Sequence, residues 1–375
     1  MKKQISVLTA LLTAAAFAVT GCGASGDNAA PSDSSKAASQ EVPEETEHSE
    51  AESTEAENTG AETGSEAVSE EEKEGSGASA VRVGSLKGPT SMGLAYLMET
   101  AKNGETANTY EFTMAGKADE LVGNIANGSL DIALVPANVA SVLYNKTQGQ
   151  VKVIDINTLG VLYVVASDDS ISTMEDLKGK TVYMTGKGTT PEFAMNYLLA
   201  ENGLGSGDVT MEFKSEAAEV ASILKEDPSA IGVLPQPFAS AACMQNPELK
   251  TVMDLTKQWD LLNKEGKSRM VTGVTIVRTG FLEEHEAAVE QFLKDHAESA
   301  EYTSAEPEKA AQLVADIGIV EKAAMAQKAM PLCNIVCITG EEMKQALSGY
   351  LEVLSGQDAK SIGGTLPGDD FYYLP

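Results

Sequence analysis

The chain has 375 residues and a formal net charge of −29, with 56 acidic against 27 basic side chains and only 5% aromatic residues. A surface of this sign repels phosphates, which argues against nucleic acid or any other polyanion as a partner. So few rings also leave little to stack against sugars, which ranks carbohydrate ligands low.

Lys2 and Lys3 open the chain with positive charge, and Ile5 to Val19 form an apolar run. That run is shorter than the roughly 20 residues a membrane-spanning helix needs, so it reads as an export signal. Val19-Thr20-Gly21-Cys22 then places small residues before a cysteine. The pattern resembles a bacterial lipobox, which implies cleavage before Cys22 and acylation of that residue. Several acyl chains anchor a protein firmly where one alone holds it only marginally. The expected location is therefore the outer face of a cell membrane, held by lipid. From Gly23 to Ala80, sixteen Asp or Glu residues stand against Lys36 and Lys73, with almost no large apolar side chain. Such a segment cannot bury enough surface to offset its ordering entropy, and its like charges extend it. Residues 1–21 are thus read as a signal peptide and 22–80 as a lipid-anchored, acidic, disordered linker.

Val81 to Pro375 carries forty acidic and twenty-three basic residues and is long enough for two lobes with separate cores. Val81 to Leu86 reads as a strand and Ser91 to Lys102 as a helix. A strand at Tyr110 to Met114, a helix at Ala118 to Ala126 and a strand at Leu130 to Val135 follow. Next come a helix at Asn138 to Tyr144 and strands at Lys152 to Ile156 and Gly160 to Ser167. The rhythm restarts with strands at Thr181 to Met184, Val209 to Phe213 and Ala230 to Leu234, separated by helices at Pro191 to Glu201 and Glu216 to Glu226. Strands alternating with helices predict an α/β fold. Trp259, within a helical stretch, is expected in the core. Cys243, Cys333 and Cys337 remain after Cys22, an odd number that excludes a fully paired framework. Buried, inert thiols are expected.

The restart is a weak internal repeat. Glu120 to Ser141 aligns without a gap on Glu219 to Ser240, pairing Ile132 with Ile231 and Pro136 with Pro235. A second echo pairs Lys87-Gly88-Pro89-Thr90 with Lys187-Gly188-Thr189-Thr190, each between a strand and a helix. Ligands of open α/β sheets sit beyond the carboxyl ends of strands, where helix starts expose N–H groups and partial positive charge. Lys87, Gly88, Pro89, Thr90 and Ser91 from one lobe, and Lys187, Gly188, Thr189 and Thr190 from the other, are therefore the main candidates to grip a ligand. Lys117 after the second strand, Ala137 and Asn138 after the third, and Pro235 and Gln236 at the mirrored position complete the set. Each has a plainer role as turn, cap or solvated charge.

Enzyme signatures are lacking. His48 lies in the linker, while His285 and His296 fall in an acidic amphipathic helix where a solvated face is expected. No nucleophile elbow occurs. Gly179-Lys180-Thr181 imitates the end of a phosphate loop, but Met174 stands where its first glycine must be. Cys333 and Cys337 have no companions at zinc spacing, so neither a metal nor a cofactor is expected.

The stretches VRVGSLKGPTSMGLAYLM (81–98), GSLDIALVPANVASVLY (128–144), MEDLKGKTVYMTGKGTTPEFAMNYLLAENGL (174–204) and AIGVLPQPFASAA (230–242) resemble extracellular solute-binding proteins of ABC importers. The resemblance covers 81–375 and is nearest to the nitrate, sulfonate, taurine and thiamine-precursor binders. It implies a two-lobed periplasmic-binding-protein fold of type II with mixed sheets. Lobe one would comprise 81–167 plus 273–375 and lobe two 168–272, joined by crossover strands near Leu162 to Ser167 and Gly273 to Arg278. It further implies capture of a small polar or anionic solute between the lobes by a monomer, and delivery to permease and ATPase subunits. Two alternatives share the fold: a surface ligand-sensing subunit, and an enzyme of cofactor metabolism.

Overall fold

The computed structural model describes residues 80–375. The expected signal, Cys22 and nearly all of the acidic linker lie outside the described residues. Strands β1 (Val81–Leu86), β2 (Tyr110–Ala115), β3 (Ile132–Pro136) and β4 (Val151–Leu159) alternate with helices α1 (Pro89–Met92), α2 (Ala95–Lys102), α3 (Ala118–Ala126) and α4 (Ala137–Thr147). Next come β5 (Leu162–Ala166), β6 (Thr181–Met184), α5 (Thr190–Glu201), β7 (Thr210–Phe213), α6 (Ala217–Glu226), β8 (Ile231–Pro235), α7 (Phe238–Gln245), β9 (Lys250–Asp254) and α8 (Leu255–Leu262). The chain then forms β10 (Val271–Arg278), α9 (Thr279–Glu284), α10 (Glu286–Ala305), α11 (Pro307–Asp316), α12 (Ala323–Ala329), β11 (Ile335–Ile338) and α13 (Gly340–Gln357). Among the described residues, no helix is long and apolar enough to cross a membrane.

Two mixed sheets result. Lobe one holds six strands in the order β11-β4-β10-β3-β1-β2, and lobe two holds five in the order β7-β6-β8-β5-β9. The predicted α/β alternation and the repeat both hold. β3 and β8 begin at the aligned isoleucines and end at the aligned prolines. β3 runs parallel to β1 and antiparallel to β10, and β8 runs parallel to β6 and antiparallel to β5. Both are buried along Ile–Val–Leu-rich runs, as interior strands of a sheet covered by helices on both faces are.

The predicted crossovers need correction. Leu162–Ala166 is an interior strand paired with β8 and β9, and Val271–Arg278 is interior between β3 and β4. A strand with partners on both edges is committed to its sheet, so the crossing falls to the unpaired residues beside it. The chain passes between lobes at Gly160–Val161 and again at 263–270. The second sheet therefore begins at Leu162, ahead of the expected lobe boundary. The long helix expected at Ser91 to Lys102 is likewise split around Gly93.

Helix α13 braces the crossing. It packs on α5 of lobe two and on β4 and β10 of lobe one. A Cβ on Gly349 would strike the Lys267 carbonyl oxygen, so only glycine lets α13 pass so close to the second crossing. Trp259 is fully buried beside Tyr197 and Tyr350, with ring centroids 4.4 and 5.4 Å away, and its Nε1 donates to Ser268 Oγ at 3.1 Å. The expected core role of Trp259 is what the structure shows.

The histidines divide. His285 is exposed, whereas His296 is completely buried against Asp155, contrary to the solvated face expected for both. Helix α10 is covered by α2 and β11 on the side that carries His296, a packing that local composition does not reveal. The three described cysteines are free; Cys333 is buried and its thiol pushed up to about 12 by desolvation, while Cys243 and Cys337 are only partly covered.

Candidate ligand cleft between the lobes

The first turns of two helices from opposite lobes meet at the crossing. Helix α4 starts directly after β3, and α5 starts after the glycine-rich loop that follows β6. Pro136 and Asn138 from one, and Thr190 and Pro191 from the other, line a cavity of about 240 Å³ that Thr272 and Tyr350 help to close. No charged side chain lines it. In so acidic a chain, that absence of carboxylates leaves helix N–H groups, hydroxyls and amides to set the local potential. Burial holds the Tyr350 phenol well above its usual range, so it remains a neutral hydroxyl.

A larger cavity of about 850 Å³ lies where the chain leaves β1 and β8. Lys87 contributes from lobe one, Pro237 and Phe238 from the start of α7, Ile319 and Val320 from the turn between α11 and α12, and Met325 from α12. Phe238 is 43% exposed, an unusual state for a phenylalanine. The α11–α12 residues carry no motif and reach the cleft only through folding, so the sequence offered no signal for them.

Gln236 sits between Pro235 of the smaller cavity and Pro237 of the larger one. It is 2% exposed, and its backbone N–H donates to the Val161 carbonyl at 3.0 Å. Its side-chain Oε1 accepts from Ser240 Oγ at 2.8 Å, which orients the amide, while Nε2 has no protein partner. A buried donor left unmet costs about 1–3 kcal/mol, so it marks a position for a ligand or a water.

The remaining candidate residues separate into two groups. Thr90 and Ser91 are buried within lobe one: Thr90 Oγ1 donates to the Leu86 carbonyl at 2.8 Å, and Ser91 Oγ lies 2.6 Å from the same oxygen and 2.8 Å from Ser85 Oγ. Ala137 is buried as well. Gly88 has a φ of 136° with open space where a Cβ would stand, and Pro89 begins α1 beside it. Lys117 is exposed, and Lys187 lies over the Phe213 ring at 5.9 Å. Gly188 N–H donates to the Glu192 carboxylate, and Thr189 Oγ1 donates to the Gly186 carbonyl. Neither cavity is lined by Lys117, Lys187, Gly188 or Thr189. Asn138 reaches its cavity while its Nδ2 donates to the Ser361 carbonyl at 3.2 Å.

Residues 95–306, more than half of the chain, match one family: ABC transporter, phosphonate, periplasmic substrate-binding protein. The chain belongs to this family. It is a substrate-binding protein of an ABC importer, of the periplasmic-binding-protein fold. No curated protein matches the sequence. Among solved structures, this binding protein is similar to an ABC transporter from Parabacteroides distasonis. The identity is 22% and the TM-score 0.66, over 78% of this chain and 98% of that one. It is also similar to the periplasmic aliphatic sulphonate binding protein from Escherichia coli, at 16% identity and a TM-score of 0.61, over 79% and 92% of the two chains. These likenesses show the two-lobed fold.

Proposed function

We propose that this binding protein captures a small solute with a phosphonate- or sulfonate-like oxyanion, or a comparable polar head, in the 240 Å³ cavity. The carrying observation is the convergence of two helix starts from opposite lobes on a cavity free of carboxylates. Each helix start favours negative charge by about 0.3–1 kcal/mol, and its N–H groups can donate to oxygen. Asn138, Thr190, Tyr350 and the unmet Gln236 amide supply further hydrogen bonds. Drug-sized ligands occupy roughly 300–1,000 Å³, so a cavity of this size suits a small head. Closure of the lobes over it would produce the form that docks on the permease. No bond is made or broken in this reading, which therefore takes the protein to be a carrier and not an enzyme. Acylation of Cys22 would hold it, as a monomer, on the outer face of the membrane, with the acidic segment as its tether.

Thermal-shift screening and calorimetry with phosphonates, sulfonates, nitrate and neutral analogues of equal size test the reading. The expected result is preference for an oxyanion over its neutral analogue, with a more compact scattering profile on binding. Equal binding of charged and neutral partners would overturn it.

A further inference from the structure

Lobe one contains a polar cluster that lines neither cavity. Asp155 of β4, His296 of α10 and Cys337 of β11 each offer one donor atom, and the three atoms lie within 4.8 Å of one another. Asp155 and His296 have no exposed surface. The Asp155 carboxylate lies 3.1 Å from His296 Nδ1 and accepts from Thr275 Oγ1 at 2.7 Å. His296 Nε2 is buried without a protein partner, 3.6 Å from where a Cβ on Gly93 would stand.

We propose that this cluster is a binding site for one divalent ion of the zinc class. One oxygen, one imidazole nitrogen and one sulfur form a donor set suited to borderline transition ions. Magnesium and calcium prefer six or more oxygens and are not served here. Charge then selects the valence. A carboxylate, a thiolate and a neutral imidazole sum to two negative charges, which a divalent ion cancels and a monovalent ion does not. Net charge is expensive at a depth where, among the described residues, His296 is the one ion-pair partner of Asp155. Nδ1 is the imidazole nitrogen that faces the carboxylate, so an ion would take the place of the proton shared there, and the mixed donor set gathered within 4.8 Å carries the site. Bound metal would tie the outer strand β11 to β4 and α10, directly beneath the α1–α2 junction behind the Lys87 loop. Such an ion would enter during folding, when the three elements close around it.

A full-length Cys22→Ala, Cys243→Ser protein removes two thiols outside the cluster. It would be unfolded in chelator, refolded with Co²⁺ alone and scanned for sulfur-to-cobalt charge transfer. The expected result is one equivalent of Co²⁺ with that band. Adding Cys337→Ser should abolish the band and weaken Co²⁺ binding at least ten-fold. Refolded protein without the band, or a band that survives Cys337→Ser, overturns the proposal. If the Cys337→Ser chain does not refold, X-ray absorption of the Zn²⁺-loaded parent decides: sulfur in the first shell supports the site, and a shell of oxygen and nitrogen alone overturns it.

Discussion

The two lobes are built from the same unit, yet they hold it in place by different means. In lobe one, Asp131 precedes β3 and takes hydrogen bonds from the Arg82 backbone and guanidinium and from Arg278, within 2.6–3.0 Å. That single buried carboxylate pins β1, β3 and β10 together. The aligned position in lobe two is Ala230, and no ion pair stands there. The matched loops differ in the same sense. Lys87-Gly88-Pro89-Thr90 turns its threonine and the following serine inward, while Lys187-Gly188-Thr189-Thr190 is largely exposed and satisfies its own N–H and hydroxyl through Glu192 and Gly186. Equal topology therefore does not mean equal division of labour. Lobe one commits these hydroxyls to the frame, and lobe two keeps Thr190 at the cavity.

The contrast can be broken most directly at Asp131. Asp131→Ala strands two arginines on a partly buried cluster and should cost about 3–5 kcal/mol in urea unfolding, whereas Ala230→Gly, the matched change in lobe two, should cost far less. Burial raises the Asp131 pKa, but hydrogen bonds from Arg82 and Arg278 outweigh it and hold the carboxyl below its ordinary range. Its stabilisation is thus complete above the unfolded value near about 4 and fades as pH falls through the lower folded value. Wild-type stability should decline in that acidic window, and the Asp131→Ala protein should lack this component of the decline. A second test bears on the frame shared by both lobes. Gly349→Ala forces a methyl group against the Lys267 carbonyl and should cost about 1–3 kcal/mol, with the crossing segment showing the largest rise in hydrogen exchange.

Hydroxyl removal sharpens the comparison of loops. Ser91→Ala leaves the buried Ser85 hydroxyl without its partner, while Thr90 still donates to the Leu86 carbonyl, and should lower stability by about 1–3 kcal/mol, whereas Thr190→Ala should act chiefly on ligand affinity, read by calorimetry. An unchanged melting temperature for Ser91→Ala would show that its hydroxyl serves the ligand after all. Gln236→Leu should weaken ligand binding about ten-fold, the loss of one hydrogen bond, and should also cost some stability because the buried Ser240 hydroxyl loses its acceptor. Lys87→Ala should have the smallest effect, a reduction in affinity for anions that vanishes as salt is added, because the side chain is exposed.

Local pattern alone determined the alternation of strands and helices, the repeat to the residue at β3 and β8, and the strand-end loops that line the cavities. These depend on hydrophobic periodicity, turn chemistry and short-range spacing, all of which are carried within a dozen residues. Asn138, Thr190, Pro235 and Gln236 were legible for that reason. Only the tertiary structure decided that Thr90 and Ser91 face inward, that the α11–α12 turn reaches the cleft, and that the crossings lie beside β5 and β10 rather than within them. It also decided the fate of His296, whose partner Asp155 is 141 positions away. Spacing rules see neighbours along a helix or strand; a contact closed by packing three separate elements leaves no trace in any one of them.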